Sequence, residues 1–179
     1  MEFEPFPKIA RIARDMIVTE KIDGTNAQVV VLDDGQVLAG SRNRYITPED
    51  DNFGFARWVA EHEAELRDGL GVGRHYGEWW GSGIGRRYDL KEKRFSLFNV
   101  RRWGADRPAC CHVVPVLYEG PFATGVVDLY IEMLRKEGSA AAPGFMRPEG
   151  VVVFHVAGGY LFKKTLEKDE EPKSRGGMS

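Results

Sequence analysis

Cysteine is scarce in this chain: there are two, Cys110 and Cys111, side by side. Adjacent thiols cannot tie distant segments together, so a disulfide framework is excluded, and the pair lacks the usual spacing of a zinc site. Their expected role is packing in a reducing compartment. Long apolar runs are missing too. Nowhere do 18 consecutive apolar residues occur, which excludes a membrane-spanning helix of ordinary length. The opening stretch MEFEPFPKIARIARDM has no apolar core of the signal-peptide kind. These absences lead us to expect a cytoplasmic protein without a membrane partner. A global excess of positive charge is also lacking. The 25 Lys and Arg against 27 Asp and Glu leave a formal net charge of −2, so a polyanionic partner needs a local patch. The four histidines, His62, His75, His112 and His155, show no metal-site spacing and are read as structural or solvated.

What is present suffices for a core. The chain has 179 residues, 42% of them hydrophobic, which suits one domain. We assign it to residues 1–168. The tail EKDEEPKSRGGMS is charged and poor in apolar residues, and 169–179 are expected to be disordered. Strands are predicted at MIVTEKI, NAQVVVLDD and QVLAGSRNR, read as an antiparallel meander with a tight turn at Asp34-Gly35. Further strands are predicted at RHYGEWW, RFSLFNV, HVVPVLYEG, EGVVVFHV and YLFKKTL, the last two joined through Gly158-Gly159. The spacing of Phe55, Trp58, Val59, Leu66 and Leu70 predicts a helix from Phe53 to Leu70, with Asp50, Asp51 or Asn52 as its cap. Val127, Tyr130, Ile131 and Leu134 predict a second from Thr124 to Lys136. The fold class is α+β.

Charged residues stand at the ends of these apolar strands in a particular order. Lys21 lies in KIDGTN, between two strand-like runs; GSRNR, YGEWWG, FSLFNV, PEGVVV and YLFKK follow down the chain. A bare K-x-D-G reads as a solvated strand end and a turn. The ordered set is far more specific than any member. A second feature is basic: Arg86 to Arg107 holds eight basic residues against three acidic ones, a net +5 segment beside Trp79, Trp80 and Trp103. Arg86, Arg87, Lys91, Lys93 and Arg94 form its densest part. This reads equally as a grip on a phosphate backbone or as a solvated charged face.

The ordered set resembles that of the covalent nucleotidyltransferases, the polynucleotide ligases and RNA capping enzymes, and within them the RNA ligase branch. The resemblance runs from about Glu20 to Lys164. KIDGTN looks like the nucleophile motif, and Asn26 at its end is typical of RNA ligases where DNA ligases usually carry arginine. The resemblance implies two antiparallel sheets flanked by helices, an ATP-grasp-like adenylation domain with ATP between the sheets. It implies that Lys21 becomes adenylylated, with Glu20 and Ile22 beside it in the ATP site and Glu20 framing the adenine. Asn26 would act on the nucleic acid, Arg42 on the ribose or the 5′-phosphate, and Phe98 would stack on the adenine. Glu78 and Glu149 would serve the ribose and a Mg²⁺ or Mn²⁺ ion, and Lys163 and Lys164 the α-phosphate. Two departures stand out. EGVVV is followed by Phe154 and His155 where the family often has a lysine, and Lys163 and Lys164 are adjacent rather than two apart, which on a strand sends them to opposite faces.

The chemistry explains the residue types. An amine that attacks phosphorus must be neutral, and an unperturbed lysine is neutral only about once in a few thousand molecules at pH 7. Nearby cations lower its pKa, and carboxylates make better metal ligands than neighbours for it. The expected activity is ATP-dependent RNA ligation: AMP passes from Lys21 to an RNA 5′-phosphate, then leaves as a 3′-hydroxyl seals the strand. With little length left for a further domain, a helper protein that captures the RNA is expected. A small DNA ligase, a capping guanylyltransferase, an enzyme that transfers AMP to protein or a small molecule, and a non-catalytic nucleotide- or RNA-binding relic are the alternatives.

Overall fold

The structure is a computed structural model that describes residues 1–170, so nearly all of the 169–179 tail lies outside the described residues. Four strands form a smaller sheet: β1 (Asp15–Lys21), β8 (Val116–Pro121), β9 (Gly150–His155) and β10 (Tyr160–Thr165), in the order β10-β9-β1-β8. Six form a larger one: β2 (Thr25–Val31), β3 (Val37–Gly40), β4 (Tyr45–Ile46), β5 (Gly73–Gly81), β6 (Lys93–Leu97) and β7 (Cys111–Val113), in the order β4-β3-β2-β5-β6-β7. All pairings are antiparallel except β6 with β7. Helices α1 (Phe55–Glu61) and α2 (Glu63–Leu70) cover the larger sheet, and α3 (Thr124–Glu137) covers the smaller. Among the described residues no helix is long and apolar enough to cross a membrane.

The expected meander forms only from β2 onward. β1 does not pair with β2; it lies in the other sheet between β8 and β9. The reason is visible in Met16, Ile17 and Val18, three consecutive apolar residues all buried. A strand with that pattern needs cover on both faces, and the centre of the smaller sheet supplies it. Met16 and Val18 pack with Val151 and Val153 under Val127, Ile131 and Leu134 of α3, while Ile17 faces the larger sheet across a cleft.

The run HVVPVLYEG likewise divides. Pro115 has no N–H to continue a ladder, so the chain leaves β7 in one sheet and enters β8 in the other. The protein thus crosses between sheets at Ile22–Gly24 and again at Val114–Pro115, and the Glu20 amide donates to the Pro115 carbonyl at 3.0 Å. Ile22 and Val114, each 4% exposed, meet Trp80, Tyr88 and Phe145 in a small core of their own at this seam. The predicted 53–70 helix breaks at His62, whose ring Nδ1 lies 2.8 Å from the Trp58 carbonyl oxygen. Of the three expected caps Asp51 serves, accepting from the amides of Ala56 (2.8 Å) and Arg57 (3.2 Å). Cys111 is fully buried in the larger core and Cys110 half-buried, their sulfurs 3.9 Å apart.

Gly24, at the first crossing, lies against β5. A Cβ there would meet the Trp79 carbonyl oxygen at 2.5 Å and the Trp80 Cβ at 2.7 Å. Gly24→Ala is therefore expected to lower stability by about 1–3 kcal/mol through overpacking. Urea unfolding measures this, and an unchanged midpoint contradicts the contact.

Candidate active site

A cleft of about 1080 Å³ runs between the two sheets. Strand alternation decides which residues face it. On the smaller sheet Thr19, Val152 and Lys163 stand opposite one another across β1, β9 and β10, and Ile17, Phe154 and Leu161 form the next row; all six line the cleft. Lys21 continues the β1 face at the strand's end, opposite Gly150. On the larger sheet Glu78 of β5 stands opposite Asn26 of β2, with Tyr76 and Arg74 further along β5, and Phe98 and Asn99–Trp103 form the remaining wall.

The Lys21 ammonium donates to Glu149 Oε2 at 2.6 Å, joining residues 128 positions apart. Both are half-buried, the side chains 20% and 15% exposed. Glu78 is 8% exposed. Burial pushes its carboxyl up to about 7; Lys21 opposes the shift, while Glu149 and Asp23 add to it. Around Glu78, then, two neighbouring carboxylates oppose the one lysine that favours its ionised form.

The turn after Lys21 is pinned from outside the cleft. The Asp23 amide donates to the Tyr88 hydroxyl at 2.8 Å, and Asp23 Oδ2 accepts from the Arg86 amide at 3.0 Å. Tyr88 is 1% exposed, edge-on to Trp80 and close to Phe145. Arg87, Tyr88 and Asp89 all have positive φ (61°, 51° and 54°), a conformation unfavourable for each of them. The buried Tyr88 ring and its hydrogen bond hold the strained run in place. Nothing in the sequence links Tyr88 to a turn 65 residues earlier. Sequence reasoning missed it because no motif or periodicity carries the contact.

The remaining sequence candidates divide. Lys163 faces the cleft. Lys164 lies on the opposite face of β10, where Asp128 of α3 accepts from it at 2.5 Å and holds its ammonium above the ordinary lysine range. Glu20 also turns to the helix side, 1% exposed; its carboxylate accepts from the Ser139 hydroxyl at 2.6 Å and the Ala141 amide at 2.8 Å, and burial outweighs these bonds to raise its pKa. The Glu20 carboxylate thus orders the loop after α3, while the residue still borders the cleft beside Lys21. Ile22 is buried at the seam, and Asn26 and Phe98 line the cleft, Phe98 41% exposed. Arg42 is exposed in the turn between β3 and β4, outside the cleft lining.

The basic segment is not a continuous cationic strip. Arg86 pairs with Asp23 and Glu167 and donates to the Arg147 carbonyl, Lys93 donates to the Phe53 carbonyl at 2.7 Å, and Arg94 pairs with Glu92. Arg87 and Lys91 stay exposed. Local polar groups spaced along the loop draw these cations in different directions.

A family model described as RNA ligase matches residues 14–165. Among solved structures, an RNA ligase from Naegleria gruberi with PPi superposes with a TM-score of 0.64 at 22% identity, covering 89% of this chain and 53% of that one. A lysine-to-alanine mutant of the Naegleria gruberi ligase with ATP and Mn gives 0.62 at 21%, covering 89% and 52%. An archaeal ATP-dependent RNA ligase gives 0.62 at 20%, covering 91% and 48%. At such identities the likeness establishes the fold, and this chain spans about half the length of those proteins. No curated protein sequence matches it.

Glu78 makes the site's charge visible in stability. Its folded-state pKa is raised above the unfolded value, so the native state binds the extra proton, and stability falls as pH rises from about 4.5 through about 7. Glu78→Gln, which cannot ionise, is expected to match the parent near pH 4.5 and exceed it by about 3 kcal/mol at pH 8. Denaturant unfolding at the two pH values checks this, and equal stability at pH 8 contradicts it.

Proposed function

This chain belongs to the RNA ligase family, and we propose that it joins RNA ends through a covalent lysyl-AMP on Lys21, with ATP as the AMP donor. The observation that carries the reading is the placement of Lys21: it stands on the cleft wall 2.6 Å from Glu149, and Lys163 faces the cleft from the same sheet. In the first step Lys21 Nζ loses a proton and attacks the α-phosphorus; an N–P bond forms and the bond to pyrophosphate breaks. The proton passes to solvent, and Glu149, in contact with Nζ, positions the amine. In the second step a 5′-phosphate oxygen of the RNA attacks the same phosphorus, and AMP moves to the RNA end as Lys21 is released. In the third the 3′-hydroxyl attacks the activated 5′-phosphate and AMP departs. Phosphoryl transfer asks chiefly for positioning and charge neutralisation, which Lys163 supplies at the α-phosphate while Phe98 stacks on the adenine. Asn26, beside Glu78 on the opposite wall, serves the steps on RNA.

A divalent cation fits this donor set. Glu78 and Glu149 offer carboxylate oxygens close enough to raise the cost of ionising Glu78, a cost a cation would remove. Among the described residues no group of three or more His, Cys, Asp or Glu forms a cage, so water and substrate phosphates would have to complete the coordination of a Mg²⁺ or Mn²⁺ ion held here. Bound there, the ion supplies charge stabilisation at the phosphates and favours ionised Glu78.

Incubation with α-labelled ATP and Mg²⁺ or Mn²⁺ tests the reading, after removal of any resident adenylate. The parent is expected to carry label through denaturation, and Lys21→Ala to carry none. Lys163→Ala should label at least about 10²-fold more slowly, the scale of losing one preorganised charge contact. Lys164→Ala, altered on the helix face, should stay within a few-fold of the parent. No label from ATP, GTP or NAD overturns the proposal in favour of a non-catalytic nucleotide-binding domain.

A further inference from the structure

We propose that the open face of the larger sheet beside the cleft is a stacking platform for unpaired RNA, which makes single-stranded ends, not nicked duplex, the substrate class; this rests on the ligase reading of the cleft. Gln28 on β2 stands opposite Gly40 on β3 and Tyr76 on β5, and Gly40 stands opposite Tyr45 on β4. Directly opposed residues share a face, so Tyr45, Gln28 and Tyr76 form one row, and Arg74 lies on the same face two residues from Tyr76. Arg74 Nη1 donates to Gln28 Oε1 at 3.2 Å, and its guanidinium carbon lies 6.0 Å from the centre of the Tyr45 ring. Tyr45 and Tyr76 are 48% and 54% exposed. Three strand spacings, about 14 Å, separate β4 from β5. Between the rings the floor is low and polar, because a Cβ at Gly40 would meet Gln28 Cγ at 2.6 Å.

Two exposed aromatic rings with an arginine held between them match the needs of single-stranded nucleic acid, whose bases stack on aromatics while cations follow the phosphates. The neighbouring row of this face holds Leu38, Val30 and Arg74, with Val30 buried and Leu38 only partly exposed, so the surface offered to solvent is chiefly the two rings and the arginine. Its charge is complementary to RNA: Glu78 is the only acidic residue on this face of β2 to β5, and it is buried, while Arg101 and Arg102 line the adjoining cleft. Arg74 and Tyr76 themselves border the cleft that holds Lys21, so a strand lying on the platform delivers its end to the nucleophile. Paired bases keep their faces within the duplex stack and cannot use the two rings in this way.

The test is fluorescence anisotropy with a labelled, 5′-phosphorylated oligouridylate, and with the same strand annealed into a nicked duplex, alongside lysine labelling by ATP. The parent is expected to bind the unpaired strand more tightly. Tyr45→Ala should weaken that binding roughly five- to hundredfold, the scale of one lost stacked base, and leave ATP labelling unchanged. Arg74→Ala should weaken it and reduce the slope of log affinity against log salt by about 0.7. Unchanged affinity in both variants, or equal affinity of the parent for the nicked duplex, overturns the platform. If the parent takes no label while both variants lose RNA, the platform stands and the ligase reading falls. Labelling in the parent with no effect of either variant does the reverse.

Discussion

The contact between Lys21 and Glu149, 2.6 Å at the point where the chain passes from one sheet to the other, constrains the rest of the structure. Its two residues come from neighbouring strands, β1 ending at Lys21 and β9 beginning one residue after Glu149. The central position of β1 in the smaller sheet fixes where the lysine emerges. Immediately beyond it the chain crosses at Ile22–Gly24, with Gly24 pressed on β5, so the two walls of the cleft are held together next to Lys21. A half-buried ion pair in isolation adds little net stability, since desolvation offsets attraction. Its consequence here is geometric: it holds the amine at a defined place on the cleft wall.

Carboxylates cluster beside Lys21. Glu78, Glu149 and Asp23 lie near one lysine, and the buried Glu78 resolves the excess by holding its proton up to about pH 7. Phosphates alone would add to the negative charge. On the proposed reading, a nucleotide accompanied by a divalent cation would bring both the group to be transferred and a countercharge for these carboxylates. Strand register puts Lys163 on the cleft face, while Lys164 is neutralised by Asp128 on the other side of its strand.

Support for the turn after Lys21 comes from a strained loop. Arg87 to Asp89 adopt three positive φ angles in succession, and the buried Tyr88 hydroxyl takes the Asp23 amide. Arg86 joins the same turn to the Arg147 carbonyl, two residues before Glu149. Both members of the ion pair are thereby held from one loop, and part of the basic segment is devoted to internal structure.

The sequence alone determined the α+β class, nearly every strand, and α3, because alternation and helical spacing are local properties that burial then satisfies. It also carried the family resemblance, since KIDGTN, YGEWWG and EGVVV keep their order whatever brings them together. Tertiary structure decided what local pattern could not. Met16 to Val18 needed cover on both faces, which moved β1 out of the expected meander, and Pro115 divided another predicted strand between sheets. Adjacent Lys163 and Lys164 were known to diverge, yet which of them met the cleft depended on where α3 packed. That the Glu20 carboxylate meets the loop after α3, while the residue borders the cleft, was likewise decided by packing. Tyr88 and the Tyr45, Arg74 and Tyr76 face were invisible in sequence, because contacts between residues far apart in the chain exist only once the sheets have fixed their register.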